Sequence, residues 1–254
     1  MLRVNHLSFK YYKKDVLKDI SFEIEGGNTL VLLGPNGSGK STILKCLLGI
    51  NKIKENEIFI DENDLKKLSY KERSRLIAYV SQENITSSLT VFDTILLGRL
   101  PYNYVYESKD DKQKVLDMAN KLHINHLLDK EMDKISGGEK QKVLIAKALC
   151  QDTPIIIFDE PTNNLDITNQ LTLINEIKRI AKEDNKTIII SMHDINLSLD
   201  VGDKFLLIKN GEIFAYGDRN IINEANIKSV FNINTKIIHE NGKGIIIYEK
   251  DDIN

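Results

Sequence analysis

The chain has 254 residues, 41% hydrophobic and 28% charged, with a formal net charge of −2. That length allows one large domain or two small ones around a substantial core, and the composition excludes a disordered or low-complexity chain. With no basic field, no apolar run near the ~20 residues of a membrane span and no export-signal stretch in Met1-Leu2-Arg3-Val4-Asn5, we expect a cytoplasmic protein that binds no nucleic acid directly.

In chain order, residues 2–9 and 20–24 read as strands of antiparallel or mixed type, and Gly26-Gly27 turns into a buried strand over 30–33. There follows Gly34-Pro35-Asn36-Gly37-Ser38-Gly39-Lys40-Ser41, which fits the phosphate-loop pattern G-x-x-x-x-G-K-[ST], and then a helix-like stretch from Thr42 over 42–48. The glycines let backbone N–H groups curl around phosphate oxygens, and the helix start adds partial positive charge. Lys40 is placed to bridge the β and γ phosphates and Ser41 to hold Mg²⁺. A ligand-free glycine turn leaves the Gly-Lys-Ser ending unexplained.

A strand at 58–60 precedes a helix from Tyr70, introduced by the capping box Ser69-x-x-Glu72, and an apolar piece over 76–80 ends at Ser81-Gln82. Residues 90–128 are helical and polar-faced, broken at Gly98 and Pro101, and read as a helical insert. Ser136-Gly137-Gly138-Glu139 opens the next helix. Its Ser-x-x-Glu spacing is an ordinary capping box, but two glycines in a first turn cost roughly 1 kcal/mol each against Ala, so close approach of an anion to the exposed N–H groups is the natural explanation. Cys46 and Cys150 lie far apart in apolar helical sequence and read as buried thiols; His123 and His126 read as a helix end on the surface rather than a metal pair.

Alternation of β and α then resumes: a strand over 155–158, a helix through Leu171, Ile174 and Ile177, and a strand over 187–191. It argues for a largely parallel core sheet with its site along the carboxyl edge. The first strand of this group ends in Asp159-Glu160-Pro161. The shorter Asp159 suits the Mg²⁺ shell and Glu160 reaches a water in line with the γ-phosphate; alone, the pair would also fit a solvated turn. Asn210-Gly211 and Asn241-Gly242 each sit between apolar pieces as hairpin turns.

The order of these motifs resembles the nucleotide-binding subunits of ATP-binding-cassette transporters over essentially the whole chain. Residues 34–41 resemble the Walker A loop, Gln82 the Q-loop glutamine, and Ser136-Gly137-Gly138-Glu139-Lys140 the signature, which often has Gln where Glu139 stands. Residues 155–160 resemble Walker B, Asn164-Leu165-Asp166 the D-loop, and His193 the switch histidine. The resemblance implies an α/β P-loop NTPase with a mostly parallel core sheet, an N-terminal antiparallel β subdomain and a helical insert. It divides the chain into 1–86 with 135–216 as core and β subdomain, 87–134 as helical subdomain and 217–254 as carboxyl-terminal extension.

It also implies a head-to-tail dimer with ATP and Mg²⁺ between one subunit's residues 34–42 and the other's Ser136, Gly137 and Gly138, Ser136 donating its hydroxyl to the γ-phosphate. Glu160, His193 and Gln82 are implied as catalytic residues, with Ser41, Gln82 and Asp159 around the metal. Gln82 otherwise reads as a polar strand end, His193 as structural, and Asp166, which would orient groups across the dimer, as a helix N-cap. The adenine-stacking aromatic falls on Tyr11, with Tyr12 the alternative, since successive strand side chains face opposite ways. The stretches Leu97-Gly98-Arg99, Pro161-Thr162-Asn163-Asn164 and His193-Asp194-Ile195-Asn196-Leu197 are similar to importers of iron-siderophore, heme or cobalamin type. Such a subunit implies membrane permease partners and, indirectly, a solute-binding protein; an iron-sulfur-cluster assembly ATPase with no membrane partner is the alternative.

Overall fold

A computed structural model describes residues 1–81, 88–102, 108–163, 165–240 and 243–249. Strand β1 (Leu2–Tyr11) pairs antiparallel with β2 (Lys14–Ile24) and, on its other edge, with β4 (Ile58–Ile60), which pairs β5 (Asn63–Asp64). β2 starts well before the apolar run at Ile20. Register shifts in the β1–β2 ladder break the period of two, so the polar residues at its start carry no strand signal in the sequence.

The central sheet has the order β10-β9-β3-β8-β7-β6, built from β3 (Thr29–Leu33), β6 (Ile77–Val80), β7 (Ile155–Asp159), β8 (Thr187–Ser191), β9 (Lys204–Lys209) and β10 (Glu212–Gly217). Every neighbouring pair is parallel except β9 with β10. β3 and β8 are buried along their whole length, as unbroken apolar strands covered on both faces must be. Asn210 and Gly211 take φ of 53° and 80° at the β9–β10 turn, the left-handed pair that a tight hairpin needs.

Alternation along these strands divides the interior into two cores. Leu30, Leu32, Ile155, Ile157 and Ile189 pack toward the antiparallel sheet and α1 (Lys40–Leu47). Val31, Leu33, Ile156, Phe158 and Ile190 pack on the opposite face against α5 (Gly137–Cys150), α6 (Ile167–Glu183) and α7 (Ile195–Val201). A helix that the hydrophobic pattern does not announce, α8 (Glu224–Phe231), is capped by Asn223 and joins the second core through Ile227 and Val230. It is followed by the antiparallel pair β11 (Thr235–Glu240) and β12 (Lys243–Tyr248). The short α2 (Tyr70–Ser74) carries the full Ser69–Glu72 capping box and buries no side chain. Cys46 and Cys150 are buried free thiols, each pushed up to about 11 by burial, which makes them poor nucleophiles.

Between β6 and α5 lie α3 (Val91–Leu96) and α4 (Lys109–Lys121), whose Val91, Ile95, Val115 and Ala119 continue the second core. Arg99 ties this segment to α5. Its Nε donates to Asp111 Oδ1 at 2.8 Å, one η nitrogen donates to the Cys150 carbonyl at 2.8 Å, and the guanidinium lies 4.0 Å from the Tyr102 ring centroid. With side chains 10% and 4% exposed, the pair is a buried one. Removing one member of such a pair costs about 3–5 kcal/mol. At ~2–4 °C per kcal/mol, Arg99→Ala is expected to lower Tm on the order of 10 °C. Calorimetry checks this; a Tm within a degree of wild type would make the pair energetically idle.

Candidate functional site

Parallel pairing aligns the carboxyl ends of β3, β8 and β7, because Ser191 stands opposite Leu32 on one side and Asp159 on the other. The phosphate-type loop leaves β3 there, with Gly34, Ser38, Gly39 and Lys40 buried, Pro35 half-buried and Asn36 and Gly37 exposed. Gly37 and Gly39 take φ of 75° and 116°, which side chains resist. Among the eight α-helices of the described residues, α1 alone has no side-chain N-cap, and its first turn carries no acid. Its leading N–H groups, at Lys40, Ser41 and Thr42, therefore suit an anion. Ser38 Oγ, buried without a hydrogen-bond partner, marks the same loop as built for a polar guest.

Lys40 Nζ donates to the carbonyls of Gly34 at 2.7 Å and Pro35 at 3.3 Å. Burial pushes its ammonium below the usual lysine range, while the Glu160 and Asp159 carboxylates pull it back up. The loop lysine thus senses the two acids that the sequence assigns to the same site.

Those acids are held by β8. Asp159 Oδ1 accepts from the Ser191 hydroxyl at 2.6 Å and Oδ2 from the Tyr79 hydroxyl at 3.4 Å. The Glu160 N–H donates to the Ser191 hydroxyl at 3.0 Å and carbonyl at 3.2 Å, which secures a non-glycine residue at φ 49°. Backbone of this kind costs on the order of 1–3 kcal/mol and gathers at functional sites. His193 Nε2 lies 2.5 Å from Glu160 Oε1, and Asn163 Nδ2 donates to Oε2 at 2.7 Å. Sequence reading brought Asp159, Glu160 and His193 to this place but missed Ser191 and Asn163. Ser191 ends the buried strand over 187–191 and so was legible as an inward polar group; the only signal for Asn163 was its place three residues after Glu160. Gln82, expected among the catalytic and metal residues, lies outside the described residues, as does Asn164.

Ser136, Gly137 and Gly138 start α5, and the capping box is complete. The Ser136 hydroxyl donates to Glu139 Oε2 at 2.7 Å, and the Glu139 carboxyl is held below the usual range by that bond and by the Ser136 N–H. In the single chain, then, Glu139 accepts the hydrogen bond that the Ser136 hydroxyl donates. The two glycines also have different causes. A Cβ on Gly138 would press on the Asn169 side chain at 2.7 Å, an intrachain reason, whereas a Cβ on Gly137 would meet nothing within 4 Å. Only Gly137 calls for a group from outside. Asp166 is exposed and caps α6, accepting from the Asn169 N–H at 2.8 Å.

Tyr11 ends β1, edge-on to Phe9 with centroids 4.8 Å apart and beside Asn51. Tyr12 sits in the turn at φ 54°, fully exposed. The alternation argument does not apply to it, because it has left the strand.

The family model described as ABC transporter matches residues 17–163. The chain is 41% identical to an ABC transporter ATP-binding protein of Methanocaldococcus jannaschii over 96% of both chains. It is 34% identical to a phosphonates import ATP-binding protein of Fusobacterium nucleatum, covering 91% of this chain and 98% of that one. A petrobactin import ATP-binding protein of Bacillus subtilis is also 34% identical, covering 85% and 86%. Among solved structures, one assigned to the metal-chelate type of ABC transporter, in an inward-facing conformation, superposes with a TM-score of 0.84 at 27% identity over 98% of this chain and 96% of that one. A dimeric ATP-binding cassette bound to ADP and Pi superposes with a TM-score of 0.74 at 27% identity, covering 86% and 98%.

Proposed function

This chain belongs to the ABC transporter family as an ATP-binding subunit with ATPase activity, and on that premise we propose that it powers import of an iron-siderophore, heme or cobalamin type substrate through a membrane permease. The observation that carries the catalytic part is the meeting of an uncapped α1, Lys40, Asp159, Glu160 and His193 at one sheet edge. The metal-chelate structure and the petrobactin relative support the substrate class.

In this reading residues 34–42 cradle the triphosphate, Lys40 bridges the β and γ phosphates, and Tyr11 stacks on adenine. The donor set of Ser41 hydroxyl and Asp159 carboxylate suits Mg²⁺, joined by Gln82; when bound, the ion neutralises charge on the phosphate oxygens. Glu160 accepts the proton of the attacking water and His193 hydrogen-bonds the γ-phosphate. A second copy, head to tail, brings Ser136, Gly137 and Gly138 to the γ-phosphate and Asp166 to the interface. For that, the Ser136 hydroxyl must leave Glu139, and the open space over Gly137 receives the phosphate.

In the same reading the chain attaches to the inner membrane face through the permease, as an ATP-binding subunit; among the described residues no helix is long and apolar enough to cross a membrane. Affinity capture of the tagged chain from detergent-solubilised cells tests the assignment. We expect a polytopic membrane protein to be recovered with it. Recovery of soluble scaffold proteins alone would instead point to cluster assembly.

A further inference from the structure

The geometry points to Asn163 as a positioning residue for Glu160: its amide fixes Oε2, so that Oε1 is the oxygen that exchanges between His193 and the attacking water. The inference rests on the reading of Glu160 as general base. Asn163 Nδ2 donates to Oε2 at 2.7 Å while its backbone N–H donates to the Glu160 carbonyl at 3.2 Å. The two residues therefore share one turn, joined by a backbone and a side-chain bond. His193 reaches the other oxygen from the far end of β8, with its side chain 41% exposed against 15% for Glu160. Of the two bonds on the carboxylate, the one to His193 is the bond that can open without unmaking the turn.

The last torsion of a glutamate is broad and roughly two-fold. Backbone restraint from Ser191 places the Glu160 Cα but leaves that torsion free. A donor on Oε2 removes the freedom and aims Oε1, and misplacement of a reacting group by about 1 Å can cost ~10²-fold in rate. Asn163 contributes no proton to the reaction. Its effect passes through Glu160.

Steady-state ATPase assays on the full chain test this with Asn163→Asp, which keeps the shape but turns the donor into an acceptor, and Asn163→Ala. Asn163→Asp is expected to lower kcat on the order of 10- to 100-fold with KM for ATP unchanged, and Asn163→Ala to lower it less. A residue that merely packs would give the opposite order, since Asp fills the space and Ala does not. Adding Asn163→Asp to Glu160→Gln is expected to cause no further loss. Wild-type kcat in Asn163→Asp, or an equal further loss in the Glu160→Gln background, overturns the inference. If Asn163→Asp does not fold, Asn163→Ala decides by the same comparison: reduced kcat at constant KM supports positioning, wild-type kcat overturns it. Glu160→Gln alone, assayed alongside, separates the two layers. Full turnover there removes the general base and this inference with it, whereas an inactive Glu160→Gln beside a fully active Asn163→Asp removes the inference only.

Discussion

Glu160→Gln is expected to lower ATP turnover by roughly 10²- to 10⁴-fold, the span that general-base catalysis contributes, while Mg·ATP still binds. The amide is the same size as the carboxylate, so the turn from Glu160 to Asn163 and the φ of 49° have no reason to change. In the proposed mechanism the variant loses the carboxylate that accepts the proton of the attacking water. His193 does not replace it, because its Nε2 lies against Glu160 Oε1 at 2.5 Å and is assigned to the γ-phosphate once nucleotide arrives. Single-turnover assays with equilibrium nucleotide binding measure the two quantities separately. Full residual turnover would reject Glu160 as the base.

Lys40→Ala is expected to act on binding instead. Each charge-assisted hydrogen bond is worth about 1.5–3 kcal/mol, so losing the contact to the β and γ phosphates should raise Kd for ATP by roughly 10- to 100-fold at ~1.4 kcal/mol per tenfold. The buried ammonium already sits among the Gly34 and Pro35 carbonyls, and the loop carries the lysine preorganised rather than recruiting it from solvent. Calorimetric titration with ATP reads the effect. An unchanged Kd would remove the phosphate-loop argument, and with it the reason to treat Asp159 as a metal ligand.

Where a motif combined local backbone demands with a buried strand, sequence reading reached the structure directly. The phosphate-type loop after β3 and the acids at the end of β7 are of this kind. The unbroken apolar runs over 30–33 and 155–158 are buried parallel strands, and the residues directly after them emerge at the same sheet edge. The Asn210-Gly211 hairpin was legible for the same reason, since few residue pairs accept its dihedral angles. β2 was read too short because bulges destroy the alternation that betrays a strand. α8 escaped because its mixed polar sequence shows no clear apolar stripe: a local cap at Asn223 starts the helix, and docking of Ile227 and Val230 on the core, a tertiary fact, holds it. At the site, the partnerships that matter were invisible for a related reason. Ser191 with Asp159 joins different strands, and Asn163 with Glu160 shows in the sequence only as a spacing of three residues. The double glycine misled in part, as Gly138 answers to Asn169 within the chain.

In the proposed assembly two copies of the chain complete one nucleotide site. The structure of the Glu160→Gln chain loaded with Mg·ATP tests it most directly. A γ-phosphate is expected between one protomer's Lys40 loop and the N–H of Gly137 of the partner subunit, with the Ser136 hydroxyl released from Glu139. A bound nucleotide whose terminal phosphate lies far from Gly137 and Gly138 of either copy would contradict it.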